Sequence, residues 1–317
     1  MGAQLRVYRR RIRSVQATKK ITKAMELIAS SRIVKAQQAS DAALPYAREL
    51  LRSIGLAAAH TPNINHPLLA TESTIEGEER AGILLITADR GLAGAYSANA
   101  IKAAERLSEN LRDRGITPVP FIVGRKGASF YKFRDRHVEA EWTGFSDDPN
   151  YDHARDIGKT LLESFLKPDT EGGIDEIHVV YTHFVNRVNQ EVRVRRILPL
   201  KVVDVQLEPS EQPITGGDDA GGKAALPLYD FEPGVDAVLD DLLPRFMNHL
   251  IYTGLLLSAA SEHAARQRAM SSATDNAEDL IKNLTRQANA ARQAEITQEI
   301  SEIVGGADAL ASATAGS

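Results

Sequence analysis

Cysteine is absent from the 317 residues. That excludes a disulfide framework, thiolate metal sites and a cysteine nucleophile, and it fits a reducing compartment. Aromatic residues are few, at 5%, a composition that suits closely packed helices more than a sandwich or barrel. No apolar run reaches the roughly 20 residues needed to cross a bilayer, so no transmembrane segment is expected. The first residues are basic, but no apolar stretch follows them, which argues against a secretory signal. Net charge is only −4, so the whole-chain balance does not point to nucleic acid. Glycine and proline are missing where their absence says most. Neither occurs from Ala3 to Leu44, and between Arg245 and Val304 the sole instance is Gly254. These are the residues most costly to a helix interior, so two long helices are predicted, one at each end. A chain built this way spans distance, which favours a mechanical or assembly role over catalysis.

What is present is unevenly distributed. Residues 1–35 carry ten basic side chains, Arg6, Arg9, Arg10, Arg11 and Arg13 among them, against the single acid Glu26. Residues 201–242 carry ten acids against Lys201 and Lys223. In the first segment Leu5, Tyr8, Ile12 and Val15 follow a 3–4 spacing. After a polar gap, Ile21, Met25, Ile28 and Ile33 or Val34 resume it. The stripe is narrow, like a coiled-coil seam, and the gap reads as a stutter. At the other end Val235, Leu239, Leu242, Phe246 and Leu250 form one stripe. Ile281, Leu284, Ala288 and Ala291 form a later one, continued after a shift by Ile296, Ile300 and Ile303. At 1.5 Å per residue the terminal helices would be roughly 80 and 105 Å long. No isolated globular core matches such lengths, so they are expected to form an antiparallel pair and to need partners beyond it.

The middle has a different grammar. Strands are predicted at Gly82–Thr87, Val119–Gly124, Val138–Trp142, Asp175–Phe184 and Val192–Val205, with helices near 97–114 and 151–166. Strands alternating with helices argue an α/β layer with a mainly parallel sheet, in which the last two strands can pair antiparallel through Asn186–Gln190. The expected organisation is a helix over 1–60, a linker over 61–80, and an α/β domain over 81–205. An acidic Gly/Pro-rich loop over 206–233, a helix over 234–304 and a tail over 305–317 follow. The fold class is thus α/β, with a long antiparallel coiled coil of terminal helices flanking a central Rossmann-like domain.

Motifs for chemistry are weak. Gly217–Ala224 has the G-x4-G-K spacing of a phosphate loop, but it lacks the Ser or Thr that holds magnesium and carries two aspartates. Gly158-Lys159-Thr160 has the right end, yet His153 stands where the first glycine is required. Asp89–Gly94 is glycine-rich after a strand but is not G-x-G-x-x-G, and it reads as a tight strand-to-helix connection. His178 and His183 are five apart on a strand and point to opposite faces. No acid, base or nucleophile cluster supports an enzyme on the α/β layer. The basic helix could be a solvated face, could bind phosphate backbone as part of a scaffold, or could lie against acidic protein. The last reading alone explains why it shares a helix with a seam.

The C-terminal residues are the most specific. Polar side chains persist all round the helix from Ser261 to Ala307, and a two-helix seam does not explain Arg292, Gln293, Thr297 and Glu299 together. Three blocks carry a family likeness. They are Ile21–Ser30 with Ser14-Val15-Gln16 before it, the Asp89–Gly94 turn, and Ile296-Thr297-x-Glu299-x-x-Glu302-x-x-x-Gly306-Ala307. With these the whole chain resembles the γ subunits of F-type ATP synthases, the central rotor shaft. At Ala93 the family commonly has cysteine. The chloroplast form carries a two-cysteine regulatory insertion, and that redox switch is absent here.

The resemblance implies a subunit with no catalytic, cofactor or metal residues of its own. The terminal helices would sit inside a ring of three α and three β subunits. The α/β domain would join the ε subunit and the membrane c-ring, with no nucleic-acid partner. Proton flow would turn the c-ring, and the rotating shaft would push each β site through different nucleotide affinities, driving ATP synthesis from ADP and phosphate. Arg292 and Gln293 would meet an acidic catch loop on β, supported by Thr297 and Glu299. Met25, packed on Arg266, would lie near the same level. The expected location is peripheral, on the cytoplasmic face of a bacterial plasma membrane.

Overall fold

A computed structural model describes residues 2–60, 66–69, 79–200 and 234–315. Most of the expected linker, the acidic 206–233 stretch and the phosphate-loop-like Gly217–Ala224 lie outside the described residues. Helix α1 spans Gly2–His60 and helix α5 spans Val235–Ala315. Between them stand β1 (Arg80–Ile86), α2 (Tyr96–Asp113), β2 (Thr117–Val123), α3 (Arg125–Phe133), β3 (Ala140–Trp142), α4 (Tyr151–Phe165), β4 (Glu176–Phe184) and β5 (Gln190–Leu198). The helices divide between two compact units. Residues 1–30 and 266–317 make one, and residues 31–265 make the other.

The larger unit is built on a five-stranded sheet of order β3-β2-β1-β4-β5. Its first four strands are parallel, and β5 runs antiparallel to β4. The unbroken apolar run of β1 marks a strand covered on both faces. Ile83 and Leu85 point to one layer with Ala100, Ala104 and Leu111 of α2. Leu84 and Ile86 point to the other, which holds Ile157 and Leu161 of α4, Leu243, Met247 and Ile251 of α5, and Leu50 and Ile54 of α1. The long helices are therefore part of this core as well as its exits. Helix α3 was not expected from the sequence; it is one short element of nine residues with only Gly127 and Tyr131 buried.

Gly158 and His153 now have structural roles. Asn150 caps α4 by accepting the His153 backbone N–H at 3.0 Å, and His153 Nδ1 accepts the Asn150 N–H at 3.2 Å, a reciprocal capping box. At Gly158 a Cβ would collide with Asn248 Oδ1 of α5. The glycine lets the two helices approach, which is a packing requirement and not phosphate chemistry.

The smaller unit is an antiparallel helix pair. Lys19 Nζ lies 2.8 Å from Glu278 Oε2, and the hydroxyls of Thr22 and Thr274 are 2.8 Å apart. As numbering rises on one helix it falls on the other. The seam departs from expectation in one respect. There is no stutter: half-buried Leu5, Tyr8, Ile12, Val15 and Lys19 lead through buried Thr22 and half-buried Met25, as expected, to buried Ala29 at an uninterrupted 3–4 spacing. Ile21 and Ile28, expected to resume the stripe, are exposed, Ile21 by 61%. The polar residues that looked like a gap occupy the seam, because Thr22 and Thr274 satisfy each other there.

Helix α5 also runs further than expected. Gly305 and Gly306 each weaken a helix by about 1 kcal/mol relative to alanine, but no proline or capping residue stops it. It continues to Ala315.

Candidate functional site

The predicted site residues fall on the two-helix unit. Arg292, Gln293, Thr297 and Glu299 are all exposed on α5. The Thr297 hydroxyl donates to the Gln293 backbone carbonyl one turn earlier, at 2.9 Å. Met25 is half-buried on α1, and Arg266 is buried on α5.

The geometry of α5 explains why this stretch is polar and apolar at once. Its seam toward α1 consists of Ala277, Leu284 and Ala288, continued by half-buried Ala291 and Glu295. In the register set by Lys19 and Glu278, α1 begins at Gly2 and so ends short of Ile296. Beyond that point α5 has no partner helix among the described residues. Ile296, Ile300, Ile303 and Val304 are exposed, Ile303 by 71%. The sequence pattern has Ile296, Ile300 and Ile303 continue the stripe of Ile281–Ala291, but among the described residues no helix stands opposite them.

At about 100° per residue, Ile303, Ile296 and Ile300 lie side by side on one surface. Glu299 and Arg292 flank them on one side, Gln293 and Thr297 on the other. The seven side chains share a single face about 160° wide, turned away from the seam. An apolar strip bordered by a cation, an anion, an amide and a hydroxyl is the composition of a protein-contact surface, with an apolar centre and a polar rim. It holds no group of acids, bases or nucleophiles in bonding reach of one another. Among the described residues, no cluster of three metal-binding side chains occurs.

A second constellation, on the α/β unit, was missed by sequence reasoning. Asp89, in the turn after β1, is buried, and its carboxylate accepts three backbone N–H groups. They come from Gly144 at 2.7 Å, Ser146 at 3.0 Å and Arg125 at 3.1 Å. Burial pushes its pKa up, but these bonds and the Arg125 guanidinium outweigh that and hold it below the ordinary carboxylate value. Glu262 of α5 is buried beside this turn and accepts the Ser146 hydroxyl at 3.1 Å. The available signal was Glu262 itself, a lone acid in the apolar and small-residue run Leu255–Ala265.

The fold defines a class: an α/β domain that packs one face of its sheet on the chain's own first and last helices, with an apolar strip exposed near the end of the last helix. The sequence profile of the ATP synthase family (ATP-synt) matches residues 4–310. The ATP synthase gamma chain of Thermobifida fusca is 56% identical over 317 residues, covering all of both chains. That of Streptomyces griseus is 58% identical over 317 residues, covering all of this chain and 99% of its own. The fold is shared with a chain of the Euglena gracilis mitochondrial ATP synthase (OSCP/F1/c-ring, rotational state 3) at a TM-score of 0.61 and 17% identity. That alignment covers 98% of this chain and 95% of the other. A chain of the Tetrahymena thermophila central stalk and c-ring aligns at a TM-score of 0.54 and 21% identity, covering 80% and 99%. The chain belongs to the ATP synthase gamma chain family.

Proposed function

We propose that this chain is the central-stalk rotor subunit of a proton-translocating F-type ATP synthase. It transmits c-ring rotation to a ring of alternating α and β subunits, where ATP is made from ADP and phosphate, and it has no active site of its own. The observation that carries the reading is the end of α5. A helix that outruns its partner and exposes isoleucines between polar groups is made to be enclosed by other chains. Family membership supplies which chains these are: the α and β subunits around the helices, with ε and the membrane c-ring at the α/β domain. No described helix is long and apolar enough to cross a membrane, and a peripheral position on the cytoplasmic face of a bacterial plasma membrane fits this role.

Met25 and Arg266, expected near the level of Arg292, stand apart from it: Arg266 is 26 residues (292 − 266) earlier on the same helix, about 39 Å at 1.5 Å per residue, and Met25 follows Thr22, whose partner is Thr274. Arg292 and Gln293 are the side chains assigned to an acidic catch loop on β, with Thr297 and Glu299 beside them. Because the ring changes conformation as the shaft turns, these contacts form with some states of β and not others. That differential is what couples rotation to nucleotide affinity. Arg292→Ala and Gln293→Ala are expected to leave the unfolding of the chain unchanged while lowering proton-driven ATP synthesis in membranes by about tenfold, the scale of a lost charge-assisted hydrogen bond. Full synthesis in both variants would remove the assignment.

A further inference from the structure

The α/β unit includes α1 from Ser31 onward and α5 up to Ala265. Within it, close in sequence to both of these bounds, a single loop, Gly144–Asp148, grips both helices. On α1, Arg32 pairs with the Asp147 carboxylate, and Lys35 Nζ lies 3.4 Å from Asp148. On α5, Glu262 accepts the Ser146 hydroxyl at 3.1 Å, and His263 Nε2 lies 2.9 Å from the Asp147 carbonyl. A carbonyl only accepts, so this ring nitrogen carries the hydrogen.

The loop is fixed in turn to the sheet. The Asp89 carboxylate holds the Gly144 and Ser146 N–H groups, and the Asp89 N–H donates to Ser146 Oγ at 2.8 Å. Arg90, in the same turn, stands 3.4 Å from Asp147. The Ser146 hydroxyl is therefore a relay. It accepts from the turn after β1 and donates to α5.

Apolar contacts between a helix and a sheet tolerate sliding, since burial is non-directional. Hydrogen bonds to a buried carboxylate do not, because a shifted helix leaves donor and acceptor unpaired. Packing alone does not call for Glu262: an apolar side chain of its size generally serves a buried position as well or better. A buried acid bonded through a serine to the sheet instead fixes the Glu262 segment of α5 in place against the α/β core. Arg32 and Asp147 do the same for α1.

We infer that the Gly144–Asp148 loop is a torsional collar, and that Ser146 and Glu262 are positioning residues for the transfer of torque between the α/β domain and the helices that leave it. This rests on the rotor reading above. A slack collar absorbs twist that a rigid one delivers, so its loss affects work done under load before it affects assembly.

The test uses the intact complex in inverted membrane vesicles carrying Ser146→Ala, Ser146→Thr or Arg32→Gln. Assembled complex, ATP hydrolysis and gradient-driven ATP synthesis are measured on the same vesicles. In Ser146→Ala and Arg32→Gln the complex assembles at the parental level and hydrolyses ATP, while the ratio of synthesis to hydrolysis falls by about threefold or more, as expected for a lost hydrogen bond to a charged group. Ser146→Thr keeps the hydroxyl and restores the ratio. An unchanged ratio in both Ser146→Ala and Arg32→Gln overturns the collar. So does a parallel loss of assembly, hydrolysis and synthesis, which marks a merely structural role. Absence of the unsubstituted chain from an ATP-hydrolysing complex would instead overturn the rotor reading itself.

Discussion

The α/β unit and the two-helix unit place their large apolar side chains in opposite ways. In the first, Phe121, Ile122, Leu84, Leu85, Ile157 and Leu161 are all fully enclosed. In the second, the buried seam is mainly small or polar: Thr22, Ala29, Thr274, Ala277 and Ala288, with Met270 and Leu284 as the larger members. Several of its larger apolar residues, Ile21, Leu27, Ile28, Ile300 and Ile303, face outward. Apolar area removed from water stabilises by about 25 cal/mol per Å², and exposed area contributes nothing until something covers it. Folding energy is concentrated in the α/β unit, whereas the helix pair leaves much of its apolar surface exposed. Small seam residues let the two helices lie close and leave the outer faces free.

Substitutions can break or sharpen that contrast. The largest effect is expected from Phe121→Ala, at the centre of the sheet, which should cost about 3–5 kcal/mol in denaturant unfolding of the purified chain. A cost near zero would mean the core is not where stability resides. Asp89→Ala comes next. It strands three backbone donors, and leaving buried donors unpaired costs about 1–3 kcal/mol.

The α/β unit should also be the acid-sensitive one. The folded-state pKa of Asp89 is depressed, so its contribution is full above the unfolded carboxylate value and is lost as pH falls through the lower folded value. His249 is held below its ordinary value by burial. The unfolded chain therefore takes that proton first, and stability drops as pH falls from the ordinary histidine range toward the folded value. The two shifts act in the same direction. Unfolding midpoints measured from pH 7 downward should fall, and a midpoint that rises would contradict both.

Smaller effects belong to the helix pair. A double-mutant cycle on Thr22 and Thr274, each changed to valine, should return a coupling of about 1 kcal/mol, the net worth of one hydrogen bond. Last is Ile303→Ser, expected to move the stability of the isolated chain by no more than about 0.5 kcal/mol, as for other exposed positions. A clear destabilisation there would show that the outward strip packs within the chain after all.

Much of this architecture was legible. Scarcity of glycine and proline marked both long helices, and both cross a proline, Pro45 in α1 and Pro244 in α5. Buried strands such as β1 declared themselves by unbroken apolar runs, and the turn through Asn186–Asn189 joins an antiparallel pair. The failures have physical causes. Periodicity counts apolar residues, so it assigned Ile21 and Ile28 to the seam and passed over Lys19 and Thr22, whose partners are more than 250 residues away in sequence. Helix α3 was invisible because nine residues with only two buried carry little pattern. Asp89, Ser146 and Glu262 come from three distant segments, and only tertiary contact reveals that one hydroxyl serves two of them. The outward strip near Ile300 was legible as apolar but not as unpartnered, since a sequence does not show where the opposite helix stops.

Pairing the first helix with the last has a consequence for how the protein is made. Thr22 leaves the ribosome 252 residues ahead of Thr274, the residue that satisfies it. At about 5–20 residues per second that interval lasts on the order of ten seconds or more. Throughout it the nascent helix carries an unmated seam and outward isoleucines into crowded surroundings. The residues from Arg80 to Leu198 that form the sheet are translated within that interval and can begin to fold around their own core. The shaft itself is closed only as the final helix is released, which makes the end of translation the moment that decides whether the chain becomes a finished rotor or an aggregate.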